Sequence, residues 1–539
     1  MIISGKLVDI HKREIYPAKI CIKGSIISEI IRVKHCDDRY IIPGLVDAHI
    51  HIESSMVTPG SFAAAAVSRG TTAVVSDPHE IANVMGIRGI RFMIEDSKRV
   101  PLKFCFGAPS CVPATPFESS GSVLNADAVE ELLSTDDIHY LAEMMNYPGV
   151  ILADREVMKK IEAAGRLHKP VDGHAPGLTG VPLRKYITAG ISTDHECTSA
   201  AEAREKIALG MKILIREGSA AKNLDVLKEL FKSNPEMLML CSDDLHPEML
   251  VKQHINALVA RLVSDGYNVF DVIRSCTINP AQHYNLSTGL LLPGDPADLV
   301  VVDNPVGMNV EETWIDGKKV FEHGKVLFDG MNAAPLNNFS CTPVNASQIE
   351  VKAKGRKIRI IEAYDGNINT GQIISEIPEG KEVRTDIESD VLKIVVKDRY
   401  EDKPPAVGFI KGFGLKRGAF ASSVAHDSHN IICIGTSDGD IVNAINKVVE
   451  MKGGLAVADG RLIASLSLPV AGIMSDEPVG RVALEYERLY KLVNSMGSKM
   501  TAPFMTLSFM ALLVIPELKL SDKGLFDSVG FRFTNLFAE

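Results

Sequence analysis

Apolar and polar positions change texture along this chain. Residues 1–40 alternate short β-like runs, such as Ala18-Lys19-Ile20-Cys21-Ile22, with turn signals. From Ile41, apolar runs alternate with helical patterns, and the runs end near His51, Asp77, Gly107, Glu143, His174, His195, Gly218 and Asp243. The intervening periodicity predicts helices over Pro59–Arg69, Ile81–Asp96, Ala126–Leu133, Arg155–Leu167, Leu183–Ala189, Ala200–Leu209, Leu224–Phe231 and Pro247–Val263. Eight strand–helix units predict an α/β chain with a (β/α)8 barrel over residues 41–280. Periodicity alone leaves a doubly wound open sheet as the alternative. Polar residues at the strand ends favour the barrel, whose functional groups sit on that face.

Beyond Thr277-Ile278-Asn279-Pro280, the segment Leu292-Pro293-Gly294-Asp295 to Val302-Asp303 returns to β-like texture, and Val310–Val320 continues it. Residues 1–40 and 281–334 are expected to form a small β-domain together. A Pro/Asn/Ser-rich linker, Pro335–Ser347, precedes a C-terminal domain over 348–539. That domain mixes strand patterns (Ile358–Ile361, Leu392–Val396) with helical ones (Asp440–Lys452, Val482–Ser495), an α/β or α+β arrangement.

The 539 residues are 46% hydrophobic and 23% charged, a globular composition too long for one ordinary domain. A net charge of -10 without a basic block argues against nucleic acid as partner. No apolar run approaches the roughly 20 residues of a membrane helix, so no membrane is expected. The start lacks a signal peptide's pattern, and the nine scattered cysteines include no CxxC pair. A cytoplasmic location is expected.

The run Ile41 to His51 reads as one apolar strand whose polar end carries His49 and His51. Alternation places Asp47, His49 and His51 on one face, with Ala48 and Ile50 on the other. Two imidazoles on one face suit a metal ion. An isolated HxH pair is more often two edge residues, but the Pro43-Gly44 entry and the same-face Asp47 favour ligation here. Other strand ends supply His174, His195 and the Asp243-Asp244 pair. Glu143 falls inside an apolar run, where an unpaired carboxylate is costly, so a cation partner is expected. His49, His51, Glu143, His174, His195 and one Asp of the pair suffice for two divalent metal ions bridged by a carboxylate. Nitrogen and oxygen donors without thiolate suit Mn2+ or Fe2+, with Zn2+ as the alternative.

This order of residues resembles the amidohydrolase superfamily. The resemblance matches its first-strand pair to His49 and His51, its fifth- and sixth-strand histidines to His174 and His195, and its eighth-strand Asp to Asp243. Many binuclear members carry a carbamylated Lys on the fourth strand. None lies there in this sequence, which makes Glu143 the natural bridge. Further segments are Asp77-Pro78-His79-Glu80, Leu141-Ala142-Glu143-Met144-Met145-Asn146, Gly412-Phe413-Gly414 and Ser422-Ser423-Val424-Ala425-His426-Asp427-Ser428-His429-Asn430. With Ile515-Pro516-Glu517-Leu518, these resemble the bacterial and archaeal adenine deaminases nearly end to end. The resemblance implies hydrolysis of adenine to hypoxanthine and ammonia, with Asp243 as base and proton shuttle and Glu143 between the ions. His79, Glu80 and Glu196 are candidates for a second acid. Against that, Glu80 also reads as a helix N-terminal carboxylate facing the macrodipole.

The segment Ala421–Asn430 has two readings: a hydrogen-bonded loop that stabilises its domain, or a loop by which His426, Asp427 or His429 encloses the purine. A homodimer or higher homo-oligomer is expected. Two other functions fit less well. A dihydroorotase- or hydantoinase-like amide hydrolase carries the strand-four Lys and lacks the long C-terminal domain. A noncatalytic ligand-binding barrel has no need of a full ligand set. His51-Ile52-Glu53 matches the H-x-E element of the zinc deaminases, but their P-C-x-x-C partner is missing.

Overall fold

The computed structural model describes residues 1–330, 334–377 and 382–538. Residues 331–333 of the expected small β-domain, and 378–381 and 539 of the C-terminal domain, lie outside the described residues.

The expected barrel is present. Parallel strands Leu45–Ile50, Thr71–Ser76, Lys103–Ala108, Ile138–Met144 and Val171–Gly173 pair in chain order, as do Thr193–Asp194, Lys212–Arg216 and Leu238–Cys241. Parallel bridges Val171↔Ile191 and Ile50↔Asp243 join the two groups and close the ring. At the second seam, Asp243 N donates to His49 O at 2.9 Å. Ala48, Val75, Tyr140, Leu214 and Met239 form one buried cluster. Only a lumen brings strands one, two, four, seven and eight together in this way.

Three expectations from the sequence are corrected by the fold. The run Ile41 to His51 is two strands in different sheets. Tyr40–Pro43 pairs antiparallel with Leu299–Val302 and parallel with Ile2–Asp9, and the barrel begins only at Leu45. Gly44 makes the corner, because a Cβ there would lie 2.0 Å from Thr72 Oγ1. Strict alternation along the barrel strand also fails. Its pairing shifts register between Asp47 and Ile50, so Asp47 turns to Ser242 and His254 while His49 and His51 face Asp243. The helix expected over Ile81–Asp96 divides at Gly86, whose φ is +59°, into His79–Met85 and Ile87–Ser97.

Strand Tyr40–Pro43 lies in an eight-stranded sheet with Ile2–Asp9, Glu14–Lys23 and Ile26–Arg32 on one side. Leu299–Val302, Val310–Ile315, Lys318–Glu322 and Lys325–Val326 lie on the other. Its strands thus come from both chain segments flanking the barrel. Ile41 packs with Ile20, Leu299 and Trp314, whereas Ile42 packs on the opposite face with Val8, Val300 and the helical Leu258 and Val272.

The C-terminal residues form a nine-stranded mixed sheet. Helix Asp438–Met451 covers one face through Ile441, Ala444 and Val448 against Val395, Cys433 and Ala456. The opposite face joins the apolar cluster that continues into the barrel domain through Phe420, Ile432, Tyr486 and Phe504. Backbone bonds fix that contact: Ser475 N donates to Met56 O at 2.7 Å. Among the described residues, no helix is long and apolar enough to cross a membrane.

Candidate metal centre at the barrel mouth

The strand ends bring His49, His51, Glu143, His174, His195 and Asp243 together, all buried. His49 Nε2 lies 3.2 Å from His51 Nε2, and Asp243 Oδ1 lies 3.6 and 3.2 Å from those two nitrogens. Glu143 spans the group. Its Oε1 is 3.3 Å from His51 Nε2, and its Oε2 is 2.8 Å from His174 Nδ1 and 3.1 Å from His195 Nε2. His51 Nδ1 bonds Asp77 O at 3.1 Å, which turns the lone pair of Nε2 toward the carboxylates.

Two overlapping sets, His49–His195–Asp243 and Glu143–His174–His195, each have ligand atoms within 4.8 Å of one another. Their carboxylates are buried among imidazoles, and the donors are nitrogen and oxygen only. Such a set fits a divalent metal ion. Asp243 Oδ1 lies 3.6 and 3.2 Å from His49 and His51, whereas Asp244, which also falls in a set with His51 and Asp243, has its Oδ1 engaged by Ser54 Oγ at 2.5 Å.

Electrostatics follow from that crowding. Burial and the nearby His195 and His51 hold the His49 imidazole well below its ordinary range. Burial opposes ionisation of Glu143, but His174 and His195 outweigh it and hold the carboxyl well below its usual value. Burial also opposes charge on His195, yet Glu143, Asp243 and Glu196 hold it up at about 9. Carboxylates and imidazoles here hold one another's charge, and a divalent ion bound among them would displace protons from the imidazoles.

Around this centre stand residues from other elements. His79 opens the helix His79–Met85, with Nδ1 3.2 Å from Asp77 Oδ2 and 3.5 Å from Glu143 Oε1. Glu80, next along, does sit in a helix first turn, but its carboxylate is also gripped by His426 Nδ1 and His429 Nε2 from the C-terminal domain. Asp427 Oδ1 is 3.7 Å from His79 Nε2. His426 and Asp427 line the cavity over the constellation, together with Met145, Ile368, Phe509 and Leu512, while His429 stands behind Glu80. Burial opposes a charged His426, but Glu80 and Asp244 hold it at about 9.

Sequence reasoning missed Arg216. It ends the strand Lys212–Arg216, where its Nη1 and Nη2 lie 2.6 and 2.7 Å from the Glu196 carboxylate and Nη1 also bonds Asp243 Oδ2. The available signal was an Arg ending an apolar strand among several carboxylates that lacked a cation. Asp47 accepts from Ser242 N at 3.0 Å and from Ser242 Oγ, with His254 Nε2 at 2.9 Å, so it ties strand one to strand eight beside Asp243.

Comparison with known proteins agrees with this geometry. The amidohydrolase family model matches residues 40–320, and the adenine deaminase C-terminal domain model matches residues 367–532. An adenine deaminase of Methanosarcina mazei is 51% identical, with 99% of each chain covered. One from Salinibacter ruber is 50% identical over 100% of this chain and 99% of its own. Among solved structures, a β-aspartyl dipeptidase from Fervidobacterium islandicum AW-1 covers 61% of this chain and 99% of its own, with a TM-score of 0.47 and 14% identity. With a barrel, a buried metal-type donor set and full-length similarity to the two deaminases, the chain belongs to the amidohydrolase family and, within it, to the adenine deaminases.

Proposed function

We propose that the chain hydrolyses adenine, with water as the co-substrate, to hypoxanthine and ammonia at the barrel mouth. The observation that carries this reading is the convergence of His49, His51, Glu143, His174, His195 and Asp243 beneath the apolar wall of Ile368, Phe509 and Leu512. In this reading His49, His51, Glu143, His174, His195 and Asp243 would hold two divalent ions, Mn2+ or Fe2+ with Zn2+ as the alternative. Bound there, the ions supply an acidified water and a polarised C6.

The chain's own groups do the rest. Asp243, kept ionised against its burial by Arg216 and His51, takes the proton from the attacking water and passes it to the departing amine. His79, raised above its usual value by Asp77 and Asp427 despite its burial, donates to a ring nitrogen and takes back a proton from the C6 hydroxyl as the carbonyl forms. Glu80 stays ionised between His426 and His429 and holds the C-terminal loop over the site. His426, Asp427 and the apolar wall exclude water around the developing charge. Asp243→Asn with its fold and ion content preserved tests the assignment. Turnover should fall by about 10²–10⁴-fold, the usual share of a positioned acid/base. A larger loss in Asp244→Asn, with Asp243→Asn mild, would overturn it.

A further inference from the structure

Lys519, in the strand Leu518–Ser521, is fully buried, and the bonds its ammonium makes are to backbone carbonyls. Nζ donates to Ile368 O at 2.8 Å and to Phe509 O at 3.0 Å. Burial without a compensating anion pushes this lysine down to about 7. A buried cation with neutral acceptors is an expensive way to fill space, and an apolar side chain would pack there at lower cost. Its two acceptors belong to the residues that roof the cavity. Ile368, half-buried against the apolar core, lies in a loop whose neighbours Tyr364, Asn367 and Asn369 are exposed, and Thr501 holds the loop's start through the Asp365 carboxylate at 2.8 and 2.7 Å. Phe509 begins the short helix Phe509–Ala511, and its ring stacks on His426 with centroids 4.8 Å apart and planes at 16°. The same strand and the residues just before it anchor the loop at its far end: Thr370 Oγ1 donates to Leu518 O at 2.9 Å, and Thr370 N donates to Pro516 O at 2.9 Å.

We propose that Lys519 is a positioning residue for the purine: it ties the Ile368 loop and the Phe509 turn to one strand and so fixes the apolar wall that covers the substrate's ring. The inference rests on the adenine reading of this site. Lys519 touches neither the metal constellation nor the cavity, so its removal acts on substrate binding through the wall.

The test compares wild type with Lys519→Met and Lys519→Gln in the full-length, Mn2+-loaded protein. In Lys519→Met the KM for adenine should rise at least tenfold, with ion content unchanged and kcat within threefold. Lys519→Gln keeps amide donors for the two carbonyls and should recover much of that loss. Hydrogen exchange reads the tether without activity: amides of 364–370 and 505–512 should exchange faster in Lys519→Met. If wild type fails to deaminate adenine, the functional reading fails, while the exchange result still judges the tether. A wild-type KM in folded Lys519→Met, or unchanged exchange in both segments, overturns the proposal. Should Lys519→Met not fold, a folded Lys519→Gln with faster exchange and unchanged KM overturns it equally.

Discussion

Asp47→Asn is a perturbation whose size can be worked from the structure. The side chain keeps its volume and touches no proposed metal ligand directly through its carboxylate, apart from a long 3.4 Å contact with His49 N. One carboxylate oxygen accepts from Ser242 N at 3.0 Å, and the other accepts from Ser242 Oγ and lies 2.9 Å from His254 Nε2. An amide offers one acceptor oxygen in place of two. With its NH2 toward Ser242 N–H two donors face each other; turned the other way, the NH2 faces the His254 ring and the Ser242 hydroxyl, whose O–H then loses this acceptor. A buried donor left unsatisfied costs about 1–3 kcal/mol. The contact joins the strand of His49 and His51 to the residue preceding Asp243, so relaxing it separates ligands from the two strands. At about 1.4 kcal/mol per decade, the loss in ion affinity should be roughly 5- to 150-fold. That agrees with the roughly 10- to 100-fold typical of outer-sphere changes. Apo protein titrated with Mn2+ against a competing chelator gives the affinity, and ammonia release at saturating Mn2+ gives the activity. An Asp47→Asn protein with Mn2+ affinity within twofold of wild type would refute the idea that this residue sets the register of the site.

Other outcomes are expected. His49→Ala or His51→Ala should lose ion content and turnover together while circular dichroism of the barrel persists; full activity at unchanged stoichiometry would exclude them as ligands. Glu143→Gln should impair binding of a second ion equivalent in the same titration, and a wild-type isotherm would remove the bridging role. Asp427→Ala should keep ion content but weaken adenine turnover, whereas wild-type kinetics would leave its loop a purely structural role. Glu118, pushed up to about 8 by burial and Asp427, holds its proton more tightly folded than unfolded. Its contribution is therefore complete below the unfolded value near 4.5 and is lost as pH rises toward about 8. Glu118→Gln should gain thermal stability over wild type at pH 8.5 more than at pH 4.5, and an equal difference at both would contradict that burial effect.

The barrel was legible because its signals are local. Each strand is a short apolar run, and His51, Asp77, His174, His195 and Asp243 mark the mouth by their polarity at its end. The corner at Gly44 was not legible, since Ile41-Ile42 and Leu45-Val46 are equally apolar and only the approach of Thr72 separates them. Arg216 was passed over for a related reason. At the end of Lys212–Arg216 it looks like a solvated strand terminus, and its carboxylate partners at 196 and 243 are distant in sequence. The contact of His429 with Glu80 joins residues from separate domains, and the strand order of the C-terminal sheet pairs Thr370–Glu376 next to Lys357–Ala363 but Ala406–Lys411 on its other side. Such long-range pairings depend on tertiary packing that periodicity does not encode.

Ammonia release from a panel of purines, cyclic amides and amide substrates by Mn2+-reconstituted protein tests the central claim most directly. Adenine should yield ammonia and hypoxanthine in equal amounts, with the rate abolished by chelation and restored by Mn2+. Metal-loaded, folded protein that releases no ammonia from adenine, or that opens dihydroorotate or hydantoin rings instead, would contradict the account.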